Sequence, residues 1–187
     1  MSTVRDRMVA GAVKLLAQRG LQATSFSSVL AETSAPRGSI YHHFPGGKEE
    51  MVAAAIEATQ THALQLIDHD MGASAIEVTQ SFLAAWRALL TYTDFAAGCA
   101  LVAITVAAET EGQRLRAAEA FRAWQGKLAG ALQAGGLSAE TAAATATLLL
   151  AAAEGAVVIC RAEHDIGPFE VVAAQLTEHV RALAARA

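Results

Sequence analysis

Cysteine is nearly absent from this chain: Cys99 and Cys160 stand alone among 187 residues. They form no Cys-x-x-Cys, and no Cys/His cluster has zinc spacing, so a disulfide framework and a structural metal site are excluded and a reducing compartment is expected. Proline is scarce, with three in all, and aromatics make up only 5% of the chain. No stretch alternates polar and apolar residues as a half-buried strand would, and no repeat or low-complexity tract interrupts the chain. Uninterrupted apolar runs of membrane length are also missing. Ala142 to Cys160 comes nearest, but Glu154 lies within it and the flanking apolar runs are too short to span, so a buried core helix and no membrane partner are expected. The amino terminus interleaves charges with apolar residues, which predicts a cytoplasmic protein without a secretory signal.

What is abundant is Ala and Leu, within a composition that is 53% hydrophobic. Such a chain favours helices over strands or disorder. The formal net charge is −4, but it is unevenly spread. Residues 1–50 hold six Lys/Arg against four Asp/Glu, and residues 51–187 hold eight against fourteen. A mildly basic head on an acidic body suits a small nucleic-acid-binding module joined to a body with another task.

Helical spacing begins at once, with Val4, Met8, Ala12, Leu15 and Leu16 on one face, and Gly20 is placed to close that helix. Ser25 or Ser27 can cap a short second helix that carries Phe26, Val29 and Leu30. Ser34-Ala35-Pro36 breaks it, and Pro36 predicts a third helix running to about Phe44. After the Pro45-Gly46-Gly47 turn, a long helix is expected with Val52, Ile56, Ala63, Leu66 and Ile67 inside. Further helices are predicted over 74–92, 95–110, 112–134, 138–163 and 168–185. The fold class is all-α, a bundle of about nine helices joined by short connections.

Two short helices joined by a tight turn, behind a longer buttressing helix, form the layout in which the later helix enters the DNA major groove. Ile40 and Phe44 lie four apart and would face the core, leaving Arg37, Gly38, Ser39, Tyr41, His42 and His43 near the outside. Arg37 can donate two hydrogen bonds to a guanine edge, Gly38 allows close backbone approach, and the hydroxyls and imidazoles can reach bases or phosphates. At the start of the next helix, the Lys48 ammonium and exposed backbone N–H groups can hold a phosphate.

The segment ATSFSSVLAETSAPRGSIYHHFPGGKEEM resembles the amino-terminal DNA-binding region of the tetracycline-repressor-like (TetR) family. The form APRGSIYHHFPGGKE, with a later Gly98-Cys99 pair, is similar to that family's LmrA/YxaF-type branch. The resemblance implies an all-helical homodimer with a three-helix DNA head and a body that binds a small molecule and the second subunit. It aligns Arg37, Gly38, Ser39, Tyr41, His42 and Lys48 with residues that touch DNA, and Thr24, Ser25 and Ser27 with a helix start that reaches phosphates. Ser34 replaces the usual turn glycine, which carries a conformational cost, and Pro36 replaces a frequent capping serine or threonine. The expected domains are a helix-turn-helix head over 1–47 and a ligand-binding and dimerisation body over 48–187.

In the body, Phe82, Trp86 and Leu90 share one helix face and Phe121, Trp124 and Leu128 share another. If they converge with Phe95, Cys99 and Thr105 they enclose a mainly apolar chamber; otherwise they fill an ordinary core. Glu154, inside an apolar helix, is either an acceptor for a ligand or the partner of a buried arginine such as Arg122. Phe169, Val172, Leu176, Val180 and Leu183 form a seam on the last helix; in it and the preceding helix one face can serve the body and another can meet a second copy, which predicts a two-fold dimer interface. The expected function is a repressor released from a palindromic operator in double-stranded DNA by a small, largely apolar or aromatic inducer, with no cofactor or metal. A thiol-based sensor using Cys99 and Cys160, a metal sensor using His62, His69, His164 or Glu109, and a helical enzyme are the alternatives. No nucleophile–base spacing is recognisable, so the expectation is a non-enzyme.

Overall fold

The computed structural model describes residues 3–69 and 72–186, without the side chain of His69. Every regular element among them is an α-helix, and there are nine: α1 (Val4–Ala23), α2 (Phe26–Thr33), α3 (Ser39–His43), α4 (Gly47–His69), α5 (Ala75–Tyr92), α6 (Ala100–Ala107), α7 (Glu111–Ala134), α8 (Ala139–Glu163) and α9 (Gly167–Ala184). The chain is all-α, as its composition and spacing predict.

Short polar residues start several of these helices. The hydroxyls of Thr3, Ser25, Ser74 and Ser138 accept hydrogen bonds from the backbone N–H three residues later, satisfying donors that a helix end would otherwise leave bare. Asp6 and Glu77 return the bond to the cap's own N–H. The backbone and hydroxyl of Thr3 hold the Asp6 carboxyl below its ordinary value, and the hydroxyl and backbone of Ser74 do the same for Glu77.

Three boundaries differ from the sequence reading. Gly20 leaves helical geometry at φ 80°, but the chain resumes a turn as far as Ala23 before closing at Thr24. The third helix starts at Ser39, because Pro36 to Gly38 make a turn in which the Ser39 N–H donates to the Pro36 carbonyl at 3.0 Å. The sixth spans only Ala100–Ala107, not 95–110. Asp94 and Phe95 are both left-handed, at φ 49° and 58°, so a helix cannot begin there.

The described chain groups into two compact units, Met1–Thr61 with Cys99–Ala120, and His62–Gly98 with Phe121–Ala187. In the first, α1 packs along α6 and α2, burying Met8, Ala12, Leu15, Leu16 and Leu21. Gly11 permits the α2 contact, since a Cβ there would lie 2.5 Å from Thr33 Cγ2. In the second, α8 and α9 pack on each other and on α5 around Leu83, Leu90, Leu149, Val157, Phe169 and Val180. Leu66, expected inside, is exposed. By length and composition α8 is apolar enough to cross a bilayer, yet one of its faces is core, built from Ala146, Leu149, Ala153, Val157 and Cys160.

Candidate nucleic-acid interface and ligand-binding residues

The α2–α3 segment separates its two faces sharply. Ile40 is 1% exposed and Phe44 and Val29 are fully buried, whereas Tyr41, between them in sequence, is 70% exposed. Phe26 of α2 supports α3 from beneath, its ring 5.5 Å from Tyr41 and 6.4 Å from Phe44. Arg5 sits over the Phe44 ring at 5.3 Å and fixes α1 to the same cluster. Arg37, Gly38, Tyr41 and His42 are exposed, and Ser39 and His43 are half-buried. The Ser39 hydroxyl donates to the Pro36 carbonyl at 2.6 Å, and the His43 ring lies 5.2 Å from that of His42.

Ser34 produces the turn between these helices. Its φ of 52° and ψ of 30° are left-handed, the conformation that a glycine adopts without strain. The serine therefore takes the turn, at the cost its side chain imposes.

Thr24 does not reach the surface. It is fully buried and its hydroxyl donates to the Gly20 carbonyl at 2.8 Å, so it closes α1 instead of facing a phosphate. Ser25 is half-buried and spends its hydroxyl on the Ser28 N–H and on Ser27; Ser27 itself is exposed. The phosphate clamp expected at the start of α4 is also engaged internally. The Gly46 N–H donates to Glu50 Oε2 at 2.8 Å, and Lys48 Nζ lies 4.0 Å from Glu109 Oε2.

Residues 8–55 match the profile described as bacterial regulatory proteins, tetR family. Residues 75–175 match the transcriptional regulator LmrA/YxaF-like C-terminal domain, more than half of the chain. The chain belongs to the TetR family. An uncharacterized HTH-type transcriptional regulator of Mycobacterium tuberculosis is 34% identical over 183 residues, covering 94% of this chain and 93% of the relative. A TetR transcriptional regulator of Legionella pneumophila superposes with a TM-score of 0.85 at 23% identity, covering 96% of this chain and 98% of that one. The regulator FadR of Bacillus subtilis, crystallised in complex with stearoyl-CoA, shares the fold at a TM-score of 0.68 and 16% identity, covering 93% and 96%.

In this TetR-family regulator, most of the expected ligand residues fall within the second unit. Phe82 and Trp86 meet edge to face at 6.4 Å on α5, as do Phe121 and Trp124 at 5.8 Å on α7. Trp124 is 7% exposed, and its indole N–H finds no acceptor among the described residues. Phe95 is half-buried with its ring 4.9 Å from that of His164. Glu154 is half-buried on α8, while Arg122, its expected buried partner, is exposed. Cys99 is buried in the first unit. Thr105, expected as a polar handle, is exposed and donates to the Leu101 carbonyl at 2.8 Å. Two open surface clefts, one on Arg5, Glu50, Gln60 and Arg116 and one on Glu140, Leu148 and His179, touch none of the aromatic residues named.

Cys160 is buried, and burial pushes its thiol up, away from the thiolate a redox sensor needs. Among the described residues no group of three His, Cys, Asp or Glu could hold a metal. The His69 side chain, one member of the considered metal set, lies outside the described residues.

Two arrangements escaped the sequence. Arg161 reaches from α8 to the Phe95 and Ala96 carbonyls at 3.3 and 3.2 Å, strapping the loop after α5. The Gly98-Cys99 pair was the available signal, because Gly98 leaves room for that guanidinium. The other is Gln113, 3% exposed and hydrogen-bonded to Glu49, which carries no local sequence signature.

Proposed function

We propose that this protein is a dimeric cytoplasmic repressor that reads a palindromic operator through α3 and is released from it by a small, largely apolar molecule. The observation that carries the DNA reading is the division of one five-residue helix. Ile40 and the adjoining Phe44 anchor it in the core, while Tyr41 and His42, with Arg37 just before them, remain at the surface. Tyrosine and histidine on a helix held this way, with the arginine just before it, have the donors and reach for base edges, and the exposed Ser27 near the start of α2 is placed for a phosphate contact. The head comprises residues 1–47 and the remaining chain carries ligand recognition and dimerisation.

The second copy is proposed to dock on the outer face of α8 and α9. Leu148, Val158 and Ile159 of α8 and Val171 of α9 are 44%, 57%, 47% and 65% exposed. On α8 they fall with Ala144, Ala151 and Gly155 at three- and four-residue steps, a seam of small and apolar residues suited to close helix packing. Two heads held at a fixed separation then match two half-sites.

The ligand reading rests on Phe82, Trp86, Phe95, Phe121, Trp124 and Glu154 in the second unit. The Trp124 N–H supports a ligand that brings an acceptor, since an unsatisfied buried donor costs about 1–3 kcal/mol. The stearoyl-CoA complex of FadR, built on the same fold, is a precedent for an effector with a long apolar chain. Ligand release follows if the inducer binds the DNA-incompetent state more tightly, and by reciprocity the operator then weakens inducer binding.

Selection of bound duplexes from a randomised pool tests the DNA function directly. Recovery of a two-fold symmetric sequence is expected; no enrichment over the input pool would overturn the reading.

A further inference from the structure

The first turn of α4 is bound into a closed set of contacts within the first unit. Glu49 accepts hydrogen bonds from the Thr110 hydroxyl and from Gln113 Nε2, both at 3.0 Å. Gln113 is almost wholly buried, and its Oε1 accepts from the Glu109 N–H at 2.8 Å while its own backbone N–H donates to Thr110 Oγ1 at 3.2 Å. Gly112 completes the fit, since a Cβ there would lie 3.2 Å from Glu49 Oε1. These bonds fix the backbone of Glu109 against the start of α4. Its carboxylate then stands 4.0 Å from the Lys48 ammonium.

Lys48 is the cation that the sequence, by its place at the start of α4, offers to a backbone phosphate, and a phosphate needs the same ammonium that Glu109 faces. The Glu109 side chain is 52% exposed and that of Lys48 is 34% exposed, so both reach solvent. We infer that Glu109 is an intramolecular counter-charge that competes with the DNA phosphate for Lys48 and limits the affinity of each head. Gln113 and Glu49 are the positioning residues: they hold the loop between α6 and α7 where its carboxylate can compete. Any state of the chain that withdraws this loop raises DNA affinity, and any state that presses it onto Lys48 lowers it. The inference rests on the DNA-binding reading and adds to it a residue that works against binding.

The test compares wild type, Glu109→Gln, Lys48→Gln and the double variant in anisotropy titrations. The probe is the duplex that wild type selects from a random pool, titrated over a salt series. Glu109→Gln keeps the size of an exposed side chain and leaves the backbone bond to Gln113 intact. It is expected to bind about two- to five-fold more tightly per head, the range that losing an exposed ion-pair competitor allows. Its log–log salt slope should steepen by about one per head as Lys48 gains a phosphate. In the Lys48→Gln background the same change should have no effect on affinity or slope. Affinity and slope equal to wild type for Glu109→Gln would overturn the inference. So would an equal gain with and without Lys48, because that would be a general charge effect. Wild type selecting no duplex would overturn the DNA-binding reading itself, and this inference with it.

Discussion

The guanidinium of Arg161 occupies the space that a side chain at Gly98 would need: a Cβ there would lie 2.7 Å from Nη1. The two residues make one device, because only an unsubstituted position 98 lets the arginine reach the Phe95 and Ala96 carbonyls. Those bonds hold a loop whose Asp94 and Phe95 are both left-handed, conformations that non-glycine residues adopt at a cost. Gly98→Ala and Arg161→Ala are each expected to destabilise by about 0.5–1.5 kcal/mol, the usual worth of such hydrogen bonds. Denaturant unfolding of the double variant should show no more loss than the larger single one. Strictly additive losses would mean that the residues act separately.

Ser34 offers a second test of backbone strain. At φ 52° it pays for a left-handed turn that glycine would adopt freely. Ser34→Val, with a branched Cβ, should cost about 1–2 kcal/mol. Ser34→Gly should stay within about 1 kcal/mol of wild type, because relief of strain is offset by the freer unfolded chain. Equal stability of the valine and glycine variants would contradict this account of the turn.

Arg87 and Glu170 join α5 to α9 by two hydrogen bonds of 2.5 and 2.8 Å. The bond from Arg87 holds the Glu170 carboxyl below its ordinary value of 4.5, and the bond to Glu170 raises the Arg87 guanidinium further. A carboxyl lowered in the folded state contributes stability above its unfolded value and loses it as pH falls through the folded one. Both side chains are 40% or more exposed, so the pair is worth under about 1 kcal/mol. Glu170→Gln should therefore lose a little stability at neutral pH, with the gap to wild type closing as the pH drops below that of a free carboxyl. A gap independent of pH would show that the pair contributes no ionic stabilisation.

The cysteines yield a chemical prediction. Both are buried, and burial raises the Cys160 thiol, so neither should react with a disulfide reagent until the protein unfolds. Labelling of the native protein at the rate of a free thiol would return the redox-sensing alternative to consideration.

How far the sequence could be read follows from the range of the forces involved. Ile40 and Phe44, four apart on a short helix, announced their burial by spacing alone, and Gly20 and Ser34 announced their backbone turns by position. The left-handed pair Asp94–Phe95 did not, since neither is glycine and their partners come from the far end of α8: Arg161 and His164 meet Phe95, and His164 lies 3.6 Å from Asp94. Thr24 looked like a surface serine or threonine, yet it folds back on Gly20 and is sealed. Lys48 was legible as a cation at a helix start, but its nearest anion, Glu109, is brought in by a buried glutamine distant in the chain. Local pattern gave the helices; the bonds that tune them depend on contacts no window of sequence contains.

The most direct test of the central claim compares Arg37→Ala with wild type on the selected operator and on a scrambled duplex at one salt concentration. If α3 and the turn that leads into it read bases, with Arg37 in that turn making the contact, the variant should lose about 1–3 kcal/mol on the operator and little on the scrambled duplex. An equal loss on both duplexes, or no loss on either, would contradict the assignment of this helix to sequence recognition.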